Sequence, residues 1–126
     1  MLPLAILINR DIKTVPREAS LRDAARLMRD KRIGSLLVED RGDFIGIVSE
    51  TDIIRRGMAE GLDPDRVAVH TVMSSPIITL DITRSAVDAN SMMSERGIRH
   101  LAITDQGRII GVLSVRDLLI YFKNHF

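Results

Sequence analysis

A shift of 65 residues lays the second half of this chain over the first without a gap, and a repeat of that length obliges both halves to adopt the same supersecondary unit. Between residues 33–54 and 98–119, 8 of 22 positions are identical and six of the other 14 exchange one aliphatic for another. Ile33 and Leu36 fall on Ile98 and Leu101, and Asp40 and Gly42 on Asp105 and Gly107. Ile45 and Gly46 fall on Ile110 and Gly111, and Ser49 and Asp52 on Ser114 and Asp117.

Each half opens with a short extended stretch, Ile12 to Val15 or Ile77 to Leu80, that ends in charged or turn-forming residues. Ser20-Leu-Arg-Asp23 and Ser85-Ala-Val-Asp88 have the form of capping boxes with Asp in place of Glu, so a helix follows each and ends near Arg32 or Gly97. Two apolar runs parted by Asp-Arg-Gly or Asp-Gln-Gly then predict a β-hairpin: Ile33 to Val38 with Phe44 to Val48, and Leu101 to Ile103 with Ile109 to Leu113. Ser49 and Ser114 open a last helix, whose apolar residues are Ile53, Ile54 and Met58 in one copy and Leu118, Leu119 and Phe122 in the other. The pattern predicts an α+β chain of two pseudo-symmetric strand-helix-strand-strand-helix repeats over residues 8–58 and 73–124, joined by a linker over 59–72 that holds at most a helical turn. A half of about 50 to 60 residues is marginal alone, so the two are expected to pack through their sheets as one domain over 1–126. The apolar opening, Leu2 to Ile8, is too short to cross a bilayer and is expected to dock as a strand or helix start.

Composition removes whole classes of function. With 0 Cys there is no disulfide framework, thiolate metal site or cysteine nucleophile, and a cytoplasmic setting is the expectation. Lys and Arg number 18 against 17 Asp and Glu, a net charge of +1, so an anion site must be local, and neither a membrane nor nucleic acid is advertised by bulk charge. With 0 Trp, 1 Tyr and 3 Phe, few rings are available for stacking a sugar or an unpaired strand. The motifs G-x-G-x-x-G, G-x-x-x-x-G-K-[ST] and H-E-x-x-H are absent, and nothing marks a nucleophile with its base or a metal-ligand cluster, so neither catalysis nor a metal is expected.

Gly46-Ile-Val-Ser-Glu-Thr-Asp-Ile53 and Gly111-Val-Leu-Ser-Val-Arg-Asp-Leu118 resemble the closing motif of cystathionine β-synthase-type (CBS) domains. Val72-Met73 followed by Pro76-Ile77-Ile78-Thr79 resembles the opening of a second copy, and Gly97-Ile-Arg-His-Leu-Ala-Ile103 its middle strand. The resemblance covers roughly residues 10 to 122 and is specific because its elements fall in order, twice, at one spacing. It implies a stand-alone tandem pair, or Bateman module, with no chemistry of its own, commonly a homodimer. Its clefts would hold an adenine nucleotide, AMP first and ADP or ATP also, and pass that occupancy to a regulated partner protein. It also implies that Asp52 and Asp117 take the ribose hydroxyls, with Ser49 and Ser114 beside ribose or phosphate. The local physics agrees, since a carboxylate accepts from both hydroxyls of a diol while the free amides of a helix start favour phosphate. Adenine is then expected between the opening and middle strands, near Ile12, Thr14, Ile33 and Ser35 in one copy and Ile77, Thr79, Ile98 and His100 in the other.

Ser-x-x-Asp is also simply how helices begin, and Ser20 to Asp23 and Ser85 to Asp88 carry the same spacing with no ligand role expected. The halves differ most where Gly34-Ser35 meets Arg99-His100. Arg99 suits a bidentate phosphate contact and His100 a donated hydrogen bond, which would make the clefts unequal; the plainer reading leaves both on an exposed strand face or at a dimer seam. Arg55 and Arg56 are expected in solvent, a phosphate contact being the sharper reading. Two rivals remain: a dimeric CBS scaffold whose clefts take no nucleotide, and nucleic-acid binding through Arg22, Arg26, Arg29, Lys31 and Arg32, disfavoured because Asp23 and Asp30 interrupt the run.

Overall fold

The computed structural model describes residues 3–125, which fall into two compact units. The first unit runs from Lys13 to Ile77, and the second joins the residues up to Ile12 with those from Ile78 onward. In the first unit β1 (Thr14–Pro16), α1 (Leu21–Lys31), β2 (Ser35–Asp40) and β3 (Asp43–Ser49) are followed by α2 (Glu50–Asp52), which continues as a π-helix over Ile53–Met58. The second unit repeats the order as β4 (Thr79–Asp81), α3 (Ala86–Arg96), β5 (His100–Asp105), β6 (Arg108–Ser114) and α4 (Val115–His125). Each unit holds a three-stranded mixed sheet, parallel between its first two strands and antiparallel between its last two. The fold is α+β, with the predicted element order in both repeats.

The hairpin turns are two-residue turns with both central residues at positive φ: Arg41 at 52° with Gly42 at 86°, and Gln106 at 52° with Gly107 at 79°. That is the type I′ geometry that matches strand twist. α1 and α3 end on left-handed residues, Arg32 and Gly97, as helices commonly do. Ser85 and Asp88 form a complete capping box, whereas at Ser20 only the hydroxyl half forms and the Asp23 carboxylate lies 3.9 Å from Arg26 instead. The cores repeat with the sequence. Val15, Ala24, Met28, Leu36, Val38 and Val48 pack in the first unit, and Leu80, Ala89, Met93, Leu101, Ile103 and Leu113, each 65 residues on, pack in the second.

Two stretches differ from the reading of the sequence. Residues 59–72 are not only a connection, because Val69 and Val72 are fully buried in the first unit's core and Val69–Thr71 forms a 3₁₀ turn. Just beyond, Ser74 exchanges backbone hydrogen bonds with Ile47 at 2.8 and 3.0 Å. The start of the chain does the same for the second unit: Leu4–Ile6 is a 3₁₀ turn, Leu4 is fully buried, and Asn9 exchanges bonds with Val112 at 2.9 and 3.0 Å. Leu2 lies outside the described residues. The segment leading into each repeat is thus docked on the other repeat's sheet. Glycine permits both crossings, since a Cβ on Gly111 would sit 2.9 Å from the Asn9 carbonyl oxygen and one on Gly46 would sit 3.0 Å from that of Ser74. The second difference is the π-helix after Asp52, where the predicted amphipathic α-helix widens by one residue per hydrogen-bonded turn.

Candidate nucleotide site

In each unit the hairpin register brings the first residue of the middle strand beside the last residue before the closing helix: Ser35 pairs with Ser49, and His100 with Ser114. The helix start is tied to the same place, with Glu50 N donating to the Gly34 oxygen at 3.0 Å and Val115 N to the Arg99 oxygen at 2.8 Å. Ser35, Ser49 and Asp52 are therefore one cluster, and Arg99, His100, Ser114 and Asp117 another. Thr14 and Thr79 stand on the adjacent opening strands, paired with Leu37 and Ala102. Ile33 and Ile98 are half-buried against their own units' cores. Ile12 and Ile77 are not gathered with the repeats assigned to them, because Ile12 belongs with the second unit and Ile77 with the first. The exchange of leading segments puts the crossings of the chain at these two residues.

Both Ser-x-x-Asp pairs are reciprocal caps. Asp52 N donates to Ser49 Oγ at 3.1 Å while Asp52 Oδ2 accepts from Ser49 N at 3.0 Å. Asp117 N donates to Ser114 Oγ at 3.2 Å while Asp117 Oδ2 accepts from Ser114 N at 2.9 Å. The box at Ser85 has the same form, so capping geometry alone does not separate a ligand site from a helix start. Surroundings do. Ser74 Oγ lies 3.3 Å from Asp52 Oδ1, Arg56 Nη1 lies 3.8 Å from the same oxygen, and Arg56 also donates to the Met73 carbonyl at 3.2 Å. Sequence reasoning missed Ser74; Arg56 is exposed as expected, but its guanidinium turns to Asp52 and the Met73 carbonyl rather than to a ligand phosphate. The signal was the repeat register extended beyond the hairpin, which sets Ser74 on Asn9 and Arg56 on Tyr121, unlike residues in both cases.

Elsewhere the basic run on α1 is partly neutralised in place. Arg22 forms a two-pronged pair with Asp65, Arg29 bonds Asp30 at 2.8 Å, and Arg26 faces Asp23. The Arg22 contact holds the Asp65 carboxyl below its ordinary range. Among the described residues no cluster of His, Cys, Asp or Glu is arranged to hold a metal, and no helix is long and apolar enough to cross a membrane.

Two mixed three-stranded sheets, each closed by a Ser-x-x-Asp helix start, define a tandem α+β module, and the sequence comparisons name its class. The CBS domain profile matches residues 5–59 and 69–124, so the chain belongs to the CBS domain family. An uncharacterized protein of Methanopyrus kandleri is 33% identical over 113 residues, which cover 88% of this chain and 58% of that protein. The CBS domain-containing protein YhcV of Bacillus subtilis is 30% identical over 113 residues, covering 90% of this chain and 80% of YhcV. Among solved structures, the conserved CBS domain protein TA0289 of Thermoplasma acidophilum superposes with a TM-score of 0.90 at 30% identity, over 95% of this chain and 68% of that one. The chain thus spans little more than half the length of the first of these relatives. CBS pairs are commonly regulatory and ligand-binding.

Proposed function

We propose that this chain is a regulatory module that senses an adenine nucleotide, AMP foremost and ADP or ATP next, and reports occupancy to a partner protein through a conformational change. The observation that carries the reading is the cluster at the start of α4: the Asp117 carboxylate, one oxygen of which is used by the cap, stands beside Ser114, His100 and the backbone of Arg99. A carboxylate there accepts from ribose hydroxyls, the first amides of an 11-residue helix favour phosphate, and Arg99 adds a guanidinium. No catalytic step is assigned. The module acts only if the nucleotide prefers one of two conformations, and it does so in the cytoplasm and as a homodimer. Dimerisation is supported by Ile54 and Leu119, equivalent residues of the two closing helices that are 61% and 64% exposed. The scaffold reading draws on Asp52, whose carboxylate is satisfied by its own chain. A thermal-shift panel of AMP, ADP, ATP, S-adenosylmethionine and NADH decides between them. At a hundred times the dissociation constant, binding adds about 2.7 kcal/mol of stability, a rise of several degrees. A rise with an adenosyl ligand that Asp117→Ala removes upholds the proposal, and no rise with any of them favours the scaffold.

A further inference from the structure

We propose that the first repeat's carboxylate is already occupied by its own chain, so that the nucleotide is taken at Asp117 alone; this rests on the reading just given. Asp52 is only 8% exposed. Its Oδ2 accepts from Ser49 N at 3.0 Å and from Ser49 Oγ at 3.1 Å, and Ser74 Oγ sits 3.3 and 3.4 Å from its two oxygens. Arg56, anchored on the Met73 carbonyl, brings a guanidinium to 3.8 Å from Oδ1. A diol needs acceptor positions on this carboxylate; a hydroxyl of the same unit already stands on them, and a guanidinium lies close by as an ion-pair partner.

In the second repeat the same two positions hold different residues, each engaged elsewhere in its unit. Ser74 is replaced by Asn9, whose Oδ1 accepts from Asp11 N at 2.9 Å. Arg56 is replaced by Tyr121, which is 4% exposed in the core and packs edge-on to Phe122 at 5.2 Å. Asp117 Oδ2 takes both Ser114 donors at 2.9 Å, and among the described residues nothing is bonded to Oδ1. Charge points the same way: Glu50 follows the first cap, whereas Arg116 follows just after the second and Arg99 lies against it. Glu50 repels a phosphate at the first cap, where the guanidinium of Arg56 is already turned to Asp52 and Met73, whereas Arg116 and Arg99 attract one at the second.

Isothermal titration of the full chain with AMP tests this. Wild type takes one nucleotide per chain. Asp117→Asn, which keeps an acceptor for the cap, weakens it roughly tenfold or more, the loss that accompanies a hydrogen bond to a charged group. Ser74→Ala combined with Arg56→Ala opens a second site, raising the stoichiometry from one to two, and adding Asp52→Asn removes that second site; circular dichroism verifies that each variant is folded. Two nucleotides per wild-type chain, a single site that survives Asp117→Asn, or no second site in the folded double variant overturns the inference while leaving nucleotide sensing in place. Absence of heat with AMP, ADP and ATP overturns the functional reading and this inference with it.

Discussion

Replacing Gly111 by Ala tests whether the chain's opening segment is held on the second unit's sheet. A Cβ there meets the Asn9 carbonyl oxygen at 2.9 Å and Ile8 Cδ1 at 3.0 Å. The isoleucine methyl can swing away, but the carbonyl is fixed by the bond it accepts from Val112 N at 3.0 Å. Either the segment lifts by a few tenths of an ångström or the bonds between Asn9 and Val112 stretch. Overpacking of this kind costs about 1–3 kcal/mol, and at about 4 °C per kcal/mol for a chain of this size the midpoint of thermal unfolding falls by about 8 °C. Hydrogen exchange supplies the local reading, with the Asn9 and Val112 amides losing protection while the β4–β5 ladder keeps its own. Gly42→Ala is the contrast: φ is +86° but no atom lies within 4 Å, so the variant pays only for left-handed backbone and leaves those two amides protected. If Gly111→Ala melts within about 2 °C of wild type with both amides still protected, the docking of residues 4–9 on β6 is wrong.

Other consequences are simpler to measure. Ser85→Ala removes one half of a complete capping box and should lower stability by about 1 kcal/mol in a thermal melt without changing AMP affinity, since the α3 start lies outside the site. The Asp88 carboxyl is held below its ordinary value of 3.8 by the Ser85 backbone amide and then by Arg84, and Asp81 likewise by Thr83. Because these folded-state values are lowered, their contribution is complete above the ordinary carboxylate value and disappears as pH falls through it and below. Melting temperature should therefore drop on that acid limb, and more shallowly in Asp88→Asn. Ile54→Asp together with Leu119→Asp should convert a dimer into a monomer in sedimentation velocity, and an unchanged dimer would exclude the closing helices as its seam.

Much of this structure was legible because the repeat is written in side chains. Gly42 and Gly107 mark the type I′ turns because glycine takes positive φ without penalty, and Ser85 with Asp88 specifies a helix start through the reciprocal bonds of a capping box. The docking of residues 4–9 and 69–74 was not legible. It uses backbone hydrogen bonds and a few buried aliphatics, Leu4 in one segment and Val69 and Val72 in the other; the two segments share no identical residue and neither advertises a period. The π-helix was hidden for a related reason, since Ile53 to Met58 carries an ordinary amphipathic pattern and the widening shows only in which carbonyl each amide reaches, as when Ala59 N bonds the Ile54 oxygen. At the candidate site, Ser49, Asp52, Ser114 and Asp117 stand out by motif, and strand register sets Ser35 and His100 beside Ser49 and Ser114. Ser74 escaped because it comes from a stretch read as leading into the second repeat, while its hydroxyl serves the first.

Amide NMR of the labelled chain titrated with AMP tests the central claim most directly. The account predicts saturable shifts concentrated at Arg99 to Leu101 and Ser114 to Asp117, the residues that register and capping bring together. No saturable shift anywhere, or shifts centred on the basic face of α1, would contradict it.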